Sequence, residues 1–141
     1  MKTAAVVYRS RTGTTRRYAE EIAAYLRTRG VASQVSSIGE CDMSQLADVD
    51  YLLLGCWTNG LMVVLQHPDE PWLVFARDLP PVARARVGVF TTYKLLTGTM
   101  FAKMRGALAD KAPSIGLELK SRDGRLSERD KQALDEFLAR G

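Results

Sequence analysis

Histidine occurs once in this chain, at position 67, and cysteine twice, at 41 and 56. That set is too small for a zinc finger or a multi-thiolate iron–sulfur cluster. The two cysteines form no C-x-x-C motif, so free thiols are expected rather than a disulfide or a redox pair. His67 sits in Gln66-His67-Pro68 with no G-x-S-x-G elbow to serve, which excludes a Ser-His-Asp hydrolase of that type. No run of five or six like charges exists: 20 Lys and Arg stand against 16 Asp and Glu, and the net charge is +4. A nucleic-acid partner is therefore not expected. No apolar run approaches the roughly 20 residues of a membrane span. The N-terminal run meets Arg9 and Arg11 before a signal-type hydrophobic region forms, so a cytoplasmic protein without membrane insertion is the expectation. Chemistry on such a chain would come from a bound cofactor.

The composition that remains is that of a packed fold: 141 residues, 46% apolar and 26% charged, the size of one domain. There is no linker, repeat or low-complexity segment, so residues 1–141 are read as a single domain. Apolar patterning alternates between short continuous runs and helical stripes. Ala4 to Tyr8 reads as a strand buried on both faces, and Tyr18, Ile22, Tyr25 and Leu26 as the stripe of a helix from Thr14 to Arg29, closed by Gly30. Val31 to Ile38 is a more polar strand near an edge. Tyr51 to Cys56 is the next apolar run, and Asp69-Glu70-Pro71 opens a helix with Trp72, Phe75, Ala76 and Leu79 inward. Arg86 to Thr92 is a strand, Thr99 to Lys111 a helix with Phe101, Met104 and Leu108 inward, and Ile115 to Lys120 the last strand. Ser127 and Asp130 cap a terminal helix that presents Leu134, Phe137 and Leu138. Strands spaced by helices give an α/β three-layer sandwich with a mainly parallel five-stranded sheet. Ligands of such sheets bind beyond the carboxyl ends of the strands, at the switch point.

The loop after the first strand is Ser10-Arg11-Thr12-Gly13-Thr14-Thr15, with four hydroxyls and one glycine in six residues at a helix N-terminus. Helix N–H groups, hydroxyl donors and a backbone that can curl at glycine suit a phosphate. One hydroxyl would suffice for an ordinary cap. The loop is neither a Walker A sequence, which needs G-K-[ST], nor G-x-G-x-x-G.

These six residues fit the pattern [ST]-x-T-G-x-T and resemble the phosphate loop of flavodoxins, placed directly after an apolar strand. Asp50-Tyr51-Leu52-Leu53-Leu54-Gly55-Cys56 resembles the third strand leading into that family's second flavin loop. The last strand runs to Lys120 and soon gives way to the terminal helix, which leaves no room for the long-chain insertion, so the resemblance is to short-chain members. It implies a flavodoxin-like strand order 2-1-3-4-5 and FMN as cofactor. It also implies that Ser10, Thr12, Gly13, Thr14, Thr15 and Thr58 take the phosphate, with Arg11 in the same loop. The flavin ring would lie between Gly55-Cys56-Trp57-Thr58-Asn59-Gly60 and Thr91-Thr92-Tyr93-Lys94.

Aligned on Thr58, the family's stacking position falls on Asn59, with Trp57 two positions earlier. Trp57 reads either as a stacking plate or as a plug under the loop. Asn59-Gly60 reads either as a tight turn or as a peptide able to flip a carbonyl toward flavin N5–H after the first electron arrives. Tyr93 is the candidate cover for the other face, and Thr91 and Thr92 for the pyrimidine edge. The acids common in this family's loops are missing; Lys94 and Leu61 stand near their places. Removing negative charge near the flavin raises the potential of the second one-electron step. Leu61-Met62-Val63-Val64-Leu65 is either core-facing or an apolar docking patch. Arg9, Arg11, Arg16 and Arg17 gather around the phosphate loop.

The expected function is single-electron transfer between protein partners by a monomeric carrier with no acid–base catalytic side chain. Two alternatives stand beside it: a small flavin-dependent reductase or oxidase acting on a quinone- or porphyrin-like substrate, and a flavin-free binding module. Flavodoxins are usually acidic, so a basic member is expected to meet redox partners through acidic or apolar surfaces.

Overall fold

The computed structural model describes residues 1–59, 66–82, 84–112 and 114–140. In chain order the elements are β1 (Thr3–Arg9), α1 (Thr14–Thr28), β2 (Ala32–Ser37), a 3-10 turn (Met43–Asp48), β3 (Tyr51–Trp57), α2 (Glu70–Asp78), β4 (Arg86–Thr92), α3 (Met100–Leu108), β5 (Ile115–Ser121) and α4 (Glu128–Ala139). The strands form one parallel sheet in the order β2-β1-β3-β4-β5. The chain therefore runs outward from β1 to β2, then crosses back to β3 on the other side. This reversal leaves a crevice beyond the carboxyl ends of β1 and β3.

Period-two alternation along each strand sorts the core into two layers. Val6, Leu53 and Phe90 pack with Tyr18, Ile22, Leu26, Leu134 and Phe137 under α1 and α4. Val7, Leu52, Leu54 and Val89 pack with Trp72, Phe75, Leu79, Met100 and Met104 under α2 and α3. Apolar residues on both faces explain why the central strands read as continuous runs.

The helix ends follow local chemistry. Gly30 adopts φ +81, Gly30 N–H donates to the Arg27 carbonyl and Val31 N–H to that of Leu26, a Schellman closure. Asp69 caps α2, with Pro71 in its first turn, and Ser127 with Asp130 makes the expected reciprocal capping box on α4. Helix α3 is shorter than the sequence pattern suggests. It ends at Leu108, where Ala109 N–H reaches back to Gly106 and Lys111 N–H to Leu108, tightening the last turn. Its fully buried stripe is Met100, Met104 and Leu108, and Phe101 is half-buried beside it.

Gly55 in β3 is dictated by packing. A Cβ there would lie 2.0 Å from Phe90 Cε2. Phe90 in turn meets Tyr18 edge-on, with ring centroids 5.9 Å apart.

Candidate functional site

Beyond the carboxyl ends of β1, β3 and β4 lies a cavity of about 520 Å³, within the roughly 300–1,000 Å³ of ligand pockets. Three loops wall it: Arg11, Thr12 and Thr14 from the first, Trp57, Thr58, Asn59 and Gln66 from the second, and Thr92, Tyr93, Lys94, Leu95 and Leu96 from the third. Arg122, just after β5, completes the wall. A separate depression of about 620 Å³ lies against the early part of β1, β2 and the 3-10 turn. It draws on none of these loops.

The first loop curls at Gly13, whose φ is +97 and whose N–H donates to Ser10 Oγ at 3.0 Å. Gly13 is also the N-cap of α1 and offers no side-chain acceptor, so first-turn N–H groups lack the usual capping partner. Thr12 and Thr14 bring their hydroxyls within 3.4 Å of each other at the cavity. Thr15 points elsewhere. It is 1% exposed, and its hydroxyl pairs with Thr92 Oγ1 at 2.6 Å, tying α1 to the end of β4.

Trp57 ends β3 and is held at its ring nitrogen. Its indole N–H donates to Asp69 Oδ2 at 2.8 Å, and Arg9 Nε–H donates to the same oxygen at 2.8 Å. Asp69 Oδ1 accepts from Trp72 N–H at 3.3 Å and faces Cys56 Sγ at 3.6 Å. One carboxylate, 6% exposed, thus caps α2 and anchors the aromatic wall. The Arg11 guanidinium lies 5.1 Å from the Trp57 ring centroid, a cation–π contact. Burial pushes the Cys56 thiol pKa well up, so it is a protonated packing group here.

Thr58 is fixed to the neighbouring strand: its N–H donates to the Thr92 carbonyl at 2.9 Å, and its hydroxyl meets Thr91 Oγ1 at 2.8 Å. Thr91 is fully buried and donates to the Cys56 carbonyl at 2.6 Å. Asn59 and His67 exchange backbone hydrogen bonds of 3.0 and 2.8 Å, an isolated antiparallel bridge. Gly60 and Leu61-Met62-Val63-Val64-Leu65 lie outside the described residues. In the third loop Tyr93 is half-buried, with Arg122 Cζ 5.4 Å and Lys120 Nζ 5.8 Å from its ring centroid.

Of the residues singled out in the sequence, Arg11, Thr12, Thr14, Trp57, Thr58, Asn59, Thr92 and Tyr93 line one cavity. Ser10, Gly13, Thr15 and Thr91 stand behind that wall and shape it. Among the arginines near the first loop, Arg9 pairs with Asp69, Arg16 with Glu20, and Arg17 donates to the Asp123 carbonyl. Arg11 is the one that reaches the cavity. Sequence reading missed Gln66, Arg122 and the wider role of Asp69, which was placed only at the opening of a helix. The described lining carries Arg11, Lys94 and Arg122 and no carboxylate.

The model of the Flavodoxin family matches residues 6–136. The chain belongs to the flavodoxin family. Solved flavodoxins share its architecture. A short-chain flavodoxin associated with a PDU bacterial microcompartment is 23% identical, with a TM-score of 0.76 over 99% of this chain and 95% of that one. Megasphaera elsdenii flavodoxin is 21% identical, with a TM-score of 0.77 over 98% and 99%. Flavodoxin 1 of Bacillus cereus is 18% identical, with a TM-score of 0.73 over 97% and 95%. No curated protein matches the chain by sequence. As a flavodoxin the protein is an FMN-binding electron-transfer protein. The cavity fits that cofactor on two counts: a hydroxyl-rich, glycine-capped helix start that suits a phosphate, and a buried amide oxygen on the lining residue Gln66 that has no partner among the described residues.

Proposed function

We propose that the cavity at the switch point is the FMN site and that its cationic, partly apolar rim receives acidic redox partners. The observation that carries the reading is convergence: one cavity is walled by all three loops after β1, β3 and β4. Thr12, Thr14 and the first-turn N–H groups of α1 would hold the phosphate. Gly13 and Ser10 set the loop's curl, and Thr58, fixed by Thr91 and Thr92, closes the site from the second loop. Trp57, locked by Asp69, and Tyr93, backed by Arg122, would bound the ring and exclude water from it. When bound, FMN supplies the one-electron chemistry, and the protein's share is position and electrostatics.

Leu95 and Leu96, 78% and 49% exposed, sit at the cavity beside Lys94 and Arg122. Apolar contact ringed by positive charge suits a partner with a negative docking face, and such association weakens with salt. Titrating apoprotein with FMN and with riboflavin, read by flavin fluorescence, tests the site. FMN is expected to bind at one equivalent and riboflavin much more weakly, because only FMN carries the phosphate. Equal affinity for the two would overturn the phosphate assignment.

A further inference from the structure

Behind the aromatic wall of the cavity stands an ion pair that does not itself line it. Arg9 ends β1 and Trp57 ends β3, and the parallel register sets Arg9 against Cys56, the residue before Trp57. Asp69, at the start of α2, joins the two: its Oδ2 accepts from the Trp57 indole N–H and from Arg9 Nε–H, each at 2.8 Å. The two charges are unequally exposed. The Asp69 side chain is 9% exposed, with buried Cys56 and Trp72 against it, whereas the Arg9 side chain is 39% exposed. Water therefore screens the guanidinium more than the carboxylate, and the pair leaves a residual negative field in its surroundings.

Resting on the FMN reading above, we infer that the Arg9–Asp69 pair tunes the reduction potential of the bound flavin from behind Trp57, with Asp69 as its negative pole. Trp57 lines the cavity and Asp69 bonds its ring nitrogen, so the carboxylate stands one indole away from the cavity. Each electron that the flavin accepts adds negative charge unless a proton follows it, and a fixed negative charge nearby opposes that step. The described lining carries the cations Arg11, Lys94 and Arg122 and no carboxylate. Those charges ease reduction; Asp69 works against them, and Arg9 moderates Asp69. This field crosses buried side chains rather than solvent, so it outlasts added salt better than that of the exposed Lys94. Asp69 is also the positioning residue for Trp57, and charge and placement have different signatures.

They separate by sign. Asp69→Asn keeps a cap and an acceptor but removes the negative pole, and the second one-electron potential is expected to rise by a roughly three- to tenfold change in that equilibrium, about 30–60 mV. Arg9→Met removes the positive pole and is expected to lower the same potential by a roughly two- to threefold change, about 20–30 mV, less because Arg9 is partly in water. The double variant should fall between the two. Dithionite titrations of the FMN-loaded proteins, at low and high salt, read the potentials. Nuclear magnetic resonance of the apoproteins reads the Trp57 indole N–H, which should move more in Asp69→Asn than in Arg9→Met. Shifts of the same sign in the two single variants are the mark of displaced placement and overturn the inference. An unmoved potential in Asp69→Asn, or a shift that vanishes at high salt, also overturns it; in each case the FMN reading stands. If Asp69→Asn does not retain FMN, Arg9→Met decides by itself: a lowered potential upholds the inference, and an unchanged or raised one overturns it. Failure of wild type to bind FMN overturns both readings.

Discussion

Asp69 is the residue through which the stability of α2 and the position of the cavity wall are joined, and truncating it should damage both. In Asp69→Ala the N-cap of α2 is lost, about 1 kcal/mol. The Trp57 indole N–H loses a charged acceptor at 2.8 Å, a contact of about 1.5–3 kcal/mol. Arg9 also loses its partner, but its side chain is 39% exposed and rehydrates, so this share is about 1 kcal/mol or less. Together the expected cost is about 2.5–5 kcal/mol, which lowers Tm by roughly 10–20 °C in a domain of this size. Asp69→Asn keeps a cap and one acceptor and should cost about 1–2 kcal/mol. Arg9→Met should cost about 1 kcal/mol or less, for the exposure just given. Thermal unfolding of the apoproteins by circular dichroism measures the order. The Trp57 indole N–H resonance should shift in both Asp69 variants and FMN affinity should fall with it. A cost below about 1 kcal/mol for Asp69→Ala, or an unmoved Trp57 resonance, would refute the junction.

Three further outcomes are expected. Gly55→Ala should destabilise by about 1–3 kcal/mol or more, because its Cβ would stand 2.0 Å from a Phe90 ring already packed on Tyr18; denaturant unfolding reads this, and a neutral result would contradict the packing. Burial raises the Cys56 thiol above its unfolded value, so its share of stability is complete below about pH 8.5 and declines as pH rises above that. At pH 8, thiol reagents should therefore modify half-buried Cys41 before Cys56, and mass spectrometry of native protein checks the order. With Lys94, Arg11 and Arg122 lining the cavity and no carboxylate among the described residues, the second one-electron potential should be less negative than in acidic flavodoxins. Lys94→Glu should lower it by a few tens of millivolts, at about 59 mV per tenfold change for one electron. A potentiometric titration finding no change would remove Lys94 from the account.

Local signals served well where the physics is local. The stripe of α1, the Gly30 closure, the Ser127–Asp130 box and the helix opening at Asp69-Glu70-Pro71 each depend on residues a few positions apart, and each stands where the pattern placed it. The end of α3 did not, because its stop is made by i→i+3 backbone bonds without a side-chain mark. The hydroxyl cluster of the first loop was legible as a group, yet its members divide in a way composition does not show. Thr12 and Thr14 line the cavity, and Thr15 turns to Thr92, 77 positions away. Trp57 could be read as plate or plug; its ring lines the cavity while its nitrogen is fixed beneath by Asp69.

The sequence by itself determined the fold class, the strand count and the hydroxyl-rich loop after the first strand, because apolar period, capping chemistry and a short hydroxyl-glycine motif act within a few residues of themselves. Only the tertiary structure decided which side chains meet. Parallel crossovers bring the ends of β1, β3, β4 and β5 together from distant parts of the chain, and this adjacency joins Arg9, Trp57 and Asp69 in one junction and sets Arg122 and Lys120 against Tyr93. Gln66, 5% exposed, is likewise placed in the wall of the cavity by the tertiary structure alone.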